Sequence, residues 1–402
     1  MPSSTSSSDG AAVLAPSMPP PAEPARPGFR LTASDRPGVA QPVPERDIPP
    51  QPWGRVSVLA LLLFVLLTAG WEAYWRAWSG TPGYRNSPGE WALQRRRVDA
   101  PGGATATVLT GASRVLFDVQ LPVWERTTGI RPIQLAMEGT TPLLVLEGLA
   151  KDPAFHGRLL VGVAPDIFFT GKAFRGSAFE YARKEGPSQR IGNWLSMHFI
   201  EPYFAFDDPD FALATVLLRQ PWPLRDGAHA STRVRKLAVQ DADRNSRMWS
   251  RVLQDPAYRA MCRRIWAERF GAPPPEMDTA AKRLKVYDGQ IDRAVKAVAT
   301  LRSHGVAVVF VRMPSGGEYY AYEQKYFPRA DTWDKLIART GVPGLHFEDH
   351  LEMQGYDLPE WSHMSEAEAQ RFTAAFAPLA EQAFASVASG KPGSAPANTP
   401  AN

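Results

Sequence analysis

Three side chains in this sequence are of the types that move an acyl group: a serine, a histidine and a carboxylate. Glu360 and His363 stand three residues apart in PEWSHMSEAEAQRF, and Ser113 comes after a β-rich run in TATVLTGASR. Acyl transfer through serine needs a base to take the hydroxyl proton and a carboxylate to fix the tautomer of that base. One loop can set residues 360 and 363 side by side. Asp357 is a second carboxylate within reach of the same loop. Among the other six histidines, His350 is the nearest rival as a base, because it comes directly after Glu348 and Asp349 at a strand end. Neighbouring residues of a strand point to opposite faces, so Asp349 is poorly placed to orient it.

The residues after His363 would hold it in place. Ser365 and Glu368 form an S-x-x-E capping box, and Phe372, Phe376 and Leu379 then repeat on one helical face. Ser113 stands where a strand turns into a helix. A hydroxyl there is exposed at the sheet edge, and a helix N-terminus favours negative charge. The same position also suits an ordinary N-cap serine. Gly139 ends the next strand in MEGTTP. A glycine lets a backbone N–H point into a cleft, as an oxyanion hole requires, and it equally suits a plain turn.

In the surrounding chain, TATVLTGAS reads as a strand and RVLFDVQLPVWERTTG as a helix stopped by Gly129. RPIQLAM is a second strand and LLVLEGLAKDP a second helix. GRLLVGVAPDIFF is nearly all apolar, as a strand covered on both faces should be. A long helix ends at Gly305 and feeds the strand VAVVFVRMP; WDKLIARTG and GLHFED add one more helix and strand. This alternation predicts an α/β domain over 104–386, with a parallel sheet and helices on both faces. Sites in such folds lie at the carboxyl ends of the strands. Residues 171–277, rich in aromatics and prolines, interrupt the pattern as an insertion that would serve as a cap or a docking surface.

The chain has 402 residues, 44% of them hydrophobic and 21% charged, which suits a protein with a buried core. The net charge of +4 is small and the basic residues are scattered, so nothing points to nucleic acid. The single cysteine, Cys262, rules out an intrachain disulfide, and YRAMCRRIW reads as a helix that buries it. No histidine pair has the spacing of a zinc helix, and the sequence suggests no metal or cofactor. Residues 1–51 and 387–402 read as disordered tails rich in Pro, Ser and Ala. Residues 53–75 read as an uncleaved transmembrane anchor, about 34 Å long as a helix. No charge falls between Arg55 and Glu72, and Trp53, Trp71, Trp75 and Trp78 stand where interfacial aromatics belong. Residues 76–103 read as a linker. Arginines flank the span on both sides, so charge alone leaves its orientation open.

VLTGASR after a strand, Gly139 after the next and PEWSHMS near the end resemble the SGNH (GDSL-like) hydrolases. The resemblance is closer to their membrane-anchored branch, which includes the D-alanine transfer proteins of teichoic acid synthesis and the alginate O-acetylation proteins. GIRPIQLAMEGTTPLLVLEGLAKDPAFHGRLLVGVAPDIFF is similar to that branch throughout, and the likeness covers roughly 104–170 and 306–379. It implies a flavodoxin-like three-layer α/β/α fold. It implies Ser113 as nucleophile, His363 as general base, and the residue three before the histidine as orienting acid. That residue is Glu360 where the family usually has Asp, with Asp357 as the alternative acid. The backbone N–H groups of Ser113 and Gly139 would form the oxyanion hole. The resemblance further implies an acyl esterase or O-acyltransferase acting on an envelope carbohydrate or glycopolymer, with a membrane-bound O-acyltransferase as partner. It would be a single-pass protein of the cytoplasmic membrane, with its N-terminus inside and its large domain periplasmic. Two blocks depart from the family. The first reads G-A-S for G-D-S, and the third has Pro165 and Asp166 where an Asn donor is usual. Those departures leave open a catalytically weak or inactive scaffold in the same kind of complex.

Overall fold

The computed structural model describes residues 50–389, apart from 221, 224, 228–235 and 272. The tails expected at 1–51 and 387–402 lie almost wholly outside these residues. The chain forms two compact units, one ending at Leu67 and the other beginning at Thr68. In the first, the described residues lie mainly in the apolar part of α1 (Trp53–Ala77). This helix is long and apolar enough to cross a membrane, and every side chain from Leu61 to Leu67 is exposed.

The second unit is built on a five-stranded parallel sheet. After α2 (Pro88–Asp99) the chain runs β1 (Thr107–Thr110), α3 (Ser113–Asp118), α4 (Leu121–Thr128), β2 (Ile133–Gln134), α5 (Leu143–Ala150), β3 (Arg158–Gly162) and α6 (Pro165–Phe168). Then come α7 (Ser177–Lys184), α8 (Pro187–Phe199), α9 (Leu213–Leu218), an antiparallel hairpin of β4 (Ala238–Gln240) and β5 (Ser246–Met248), α10 (Arg251–Gln254) and α11 (Pro256–Ala267). The chain closes with α12 (Ala280–Ser303), β6 (Ala307–Arg312), α13 (Gly317–Tyr326), α14 (Trp333–Thr340), β7 (Gly344–His346) and α15 (Glu366–Ala388). The sheet order is β2-β1-β3-β6-β7, with Leu109 paired to Leu160 and Leu160 to Val309.

The strands are apolar on both faces because both are covered. Val108, Leu159, Val161, Val308 and Phe310 belong to one buried layer with residues of α5, α12 and α14. Leu109, Leu160, Val309 and Val311 belong to the opposite layer with α3, α4 and α15. This is the two-residue alternation of a strand, seen in three neighbouring strands at once.

Four sequence expectations need correction. Residues 76–103 are not a linker. They contain α2, whose Trp91 is buried in the core and donates from Nε1 to the Leu135 carbonyl at 3.0 Å. The segment RVLFDVQLPVWERTTG is two helices, because Pro122 cannot donate within a continuous helix. At the break, the Gln120 and Leu121 N–H groups go instead to Thr373 Oγ1 and Asn245 Oδ1. The third strand stops at Gly162, since Pro165 opens α6. Trp75 and Trp78 are taken up by a protein cluster instead of being presented to lipid. Trp75 stacks on Phe211 at 4.4 Å, and Trp78 lies under the Arg251 guanidinium at 3.9 Å.

Candidate active site

Two glycines let α3 lie directly on the ends of β1 and β3. A Cβ on Gly111 would stand 2.7 Å from Val115 Cγ2, and one on Gly162 would run into the same methyl group. Ser113 is therefore carried at the sheet edge as the first residue of α3. It does not cap the helix, because the N-cap position is Ala112. The Ser113 N–H has no acceptor within its own helix, as expected of a first-turn residue. With six residues α3 has little macrodipole, so its contribution is the donors themselves.

His363 lies just before α15. Ser365 caps that helix by accepting the Glu368 N–H at 3.2 Å. Only half of the expected box forms, because the Glu368 carboxylate turns to the Asp357 N–H and to Arg371. Glu360 Oε1 accepts both the His363 N–H at 2.6 Å and Nδ1 at 2.7 Å. Its other oxygen accepts from Trp266 Nε1. A proton on Nδ1, assigned from this contact, leaves the Nε2 lone pair free as a base. Nε2 is buried and has no partner among the described residues. Burial pushes the Glu360 carboxyl up, but the imidazole and the hydrogen bonds from His363 and Trp266 outweigh it and hold it below its ordinary value.

The turn that closes this pair is strained. Trp361, between Glu360 and Ser362, has φ +74°, a left-handed conformation that a bulky residue rarely adopts. Its carbonyl accepts the Gly316 N–H at 2.8 Å, and the Arg263 guanidinium lies 5.4 Å from its ring.

Ser113, His363, Gly139, Asp166, Tyr319 and Trp266 are all among the residues lining one cavity of about 760 Å³. The segment 171–277 contributes to its wall through Thr215 and Leu237 as well as Trp266. Gly139 has φ +57°, which favours glycine, and its carbonyl accepts the Phe174 N–H at 3.1 Å. Asp357 is exposed and makes no contact with His363 among those described. Asp349 is held by Arg329 at 2.6 Å, and neither it nor His350 lines the cavity.

Sequence reasoning missed two features. Asp118 ends α3 fully buried; Oδ1 accepts the Met364 N–H at 2.9 Å and Oδ2 has no partner. Burial pushes its carboxyl up to about 7, against the pull of His363 and of the Met364 N–H. A carboxylate inside the apolar run VLFDV was the available signal. The second feature is a buried ionic cluster. Arg114 Nη1 stands 2.8 Å from Glu323 Oε1, and its guanidinium lies 4.9 Å from the Tyr319 ring. Glu323 also receives Arg312 at 2.7 Å and Ser315 Oγ at 2.5 Å. Tyr319 Oη donates to Asp166 Oδ2 at 2.9 Å, while Asp166 Oδ1 is buried without a partner. Tyr319 and Glu323 are four apart on α13, which puts them on one face.

Among the described residues, no group of three or more His, Cys, Asp or Glu side chains is arranged to hold a metal ion. No protein-family model matches the chain, and no curated protein is significantly similar to it.

Proposed function

We propose that this chain is a membrane-anchored, SGNH-like acyl esterase or O-acyltransferase, working through Ser113, His363 and Glu360 on O-acyl groups of an envelope carbohydrate or glycopolymer. One observation carries the reading. His363 Nδ1 is held at 2.7 Å by Glu360, its Nε2 is buried and unpartnered, and Ser113 lines the same cavity. His363 Nε2 would take the Ser113 proton as Oγ attacks the ester carbonyl. The backbone N–H groups of Ser113 and Gly139 would receive the oxyanion. His363 would return the proton to the departing sugar oxygen, leaving an acyl-serine. Water or a second hydroxyl, deprotonated by the same nitrogen, would then release the acyl group.

The sheet supports this reading. Counting only its own strands, the order is 2-1-3-4-5, that of flavodoxin-type doubly wound sheets, with Ser113 at the carboxyl end of its first strand. Helix α1 supports a single anchor. The proposed chemistry on envelope glycans, not the helix, favours a cytoplasmic N-terminus and a periplasmic catalytic domain. A membrane-bound O-acyltransferase would be the natural source of acyl groups.

Asp166 favours a second reading, a scaffold of low or no activity. A carboxylate faces the cavity where an amide donor would suit an oxyanion, and burial with Glu323 beside it raises its pKa. Fluorophosphonate labelling of the full-length protein in detergent separates the two readings. The enzyme reading expects labelling of the wild type that is lost in Ser113→Ala and His363→Ala. A folded wild type that takes no label would establish the scaffold reading. A strain carrying Ser113→Ala should in parallel show altered O-acylation of its envelope glycans.

A further inference from the structure

Helix α8 buries only Met197 and leaves most of its apolar side chains on the outside. Two polar residues turn inward, Ser196 Oγ donating to the buried Glu201 carboxylate at 2.6 Å and Asn193 Oδ1 lying against Gly89, while Arg190 and His198 are exposed with the apolar residues. Its apolar residues turn outward, with Trp194 51% and Phe199 60% exposed beside Ile191 and Leu195. A helix that covers a core does the reverse. Helix α9 buries none of its residues, and Leu218 is 83% exposed. Tyr203 and Trp222 are exposed as well, so the stretch from α8 to residue 222 carries many outward-facing apolar and aromatic side chains, the composition that marks an interaction site.

Its place in the fold names the occupant. The segment between α8 and α9 is bonded to the last turns of α1. Ala205 and Phe206 donate their N–H groups to Glu72 at 2.9 Å, and Arg76 donates to the Tyr203 carbonyl at 2.7 Å. The uncharged run of α1 ends just before Glu72. If α1 crosses a bilayer, residues 72–76 lie at its surface, and so does whatever is bonded to them. Trp and Tyr with aliphatic neighbours are the side chains that suit the boundary between headgroups and acyl chains. Neighbouring cations are already engaged, Arg190 with Glu185 and Arg183 with Glu180.

We propose that the outer face of α8 and α9 is a second membrane contact, which lies in the lipid headgroup–acyl boundary and seats the domain on the bilayer. The contact is apolar and does not depend on anionic lipid. It rests on the reading of α1 as a membrane span. Thr215 and Arg219, in and just after α9, also line the site cavity, so seating brings that cavity down to the bilayer surface.

The test uses full-length protein in pure phosphatidylcholine vesicles. Single spin labels are placed at Phe199→Cys and Leu218→Cys, at Leu63→Cys within α1, and at Lys296→Cys as a water-exposed reference. Cys262 is buried, and the parent protein gives the background. Accessibility to oxygen is compared with accessibility to a nickel chelate. The proposal expects positions 199 and 218 to favour oxygen several-fold over position 296. It also expects no change on adding phosphatidylglycerol. Labels at 199 and 218 as open to nickel as position 296, with 63 in lipid, would overturn the proposal alone. A water-exposed label at 63 would overturn the span and the proposal with it. Shielding of 199 and 218 in native membranes but not in pure vesicles would assign the face to a protein partner and overturn the lipid contact.

Discussion

Arg114 Nε stands 3.3 Å from Ser362 Oγ, so the residue after the candidate nucleophile holds the residue before the candidate base. The same guanidinium is paired with Glu323 in a fully buried setting. Removing one partner of a buried ion pair leaves an uncompensated charge. Arg114→Ala should therefore cost about 3–5 kcal/mol of stability in denaturant unfolding. Because Arg312 shares Glu323, the whole set has to go together: Arg114→Met with Arg312→Met and Glu323→Leu should recover much of that loss while leaving activity low. If the triple variant is no more stable than Arg114→Ala, the pairing is not what stabilises this region.

Glu360 and Asp357 should separate cleanly. Glu360 receives three donors, two from His363 and one from Trp266. Glutamine cannot accept all three, because one end of its amide is itself a donor. Glu360→Gln should lower kcat by up to about 10⁴-fold, the scale seen when a triad imidazole is left in the wrong tautomer. Asp357→Asn should leave kcat within about twofold, since exposed surface changes are usually small. Equal losses in the two variants would contradict the geometry.

Asp118 gives a pH signature. Its carboxyl rises from 3.8 to about 7 on folding, mainly through burial. The folded state binds the proton more tightly, so this group's contribution to stability is complete below pH 4. It is lost as pH climbs to about 7 and is flat above that. Asparagine has no proton to lose and can still accept from Met364. The advantage of Asp118→Asn over wild type in thermal or denaturant unfolding should grow across that window, by at most about 4 kcal/mol. An advantage that is constant from pH 4 to 8 would rule out titration of Asp118 there.

Asp166 tests whether the cavity lacks a donor. Asparagine at this position would keep an oxygen for Tyr319 Oη and offer an N–H where Asp166 Oδ1 now lies without a partner. On the proposed chemistry, Asp166→Asn should raise kcat with little change in KM, by up to the 10²–10³-fold scale of one oxyanion donor. Asp166→Ala should not reproduce the gain. Burst kinetics with an activated ester would read both.

The sheet was legible because its strands are short apolar runs bounded by turn residues. Any strand covered on both faces must look this way, and VAVVFVR does. The contact between Glu360 and His363 was legible because the two are local in sequence and need only one turn to meet. The ionic cluster was not, since Arg114, Asp166, Arg312 and Glu323 come from separate elements and no local pattern joins them. The role of α2 was hidden for a similar reason. Trp91 stands in a polar stretch, and only the fold shows that its ring enters the core. Trp75 and Trp78 misled because an aromatic that fits a lipid interface fits a protein cluster equally well.

One oxygen of Glu360 grips both the main chain and the ring of His363, across a turn whose shape Trp361 fixes. An imidazole tied at two points cannot swing aside between steps. On the proposed chemistry, the leaving sugar oxygen and the incoming acceptor must use the same Nε2 from the same side of the cavity. They must therefore occupy one place in turn. The kinetic form of that constraint is double displacement: parallel lines in double-reciprocal plots, and mutual competition between donor and acceptor at high concentration.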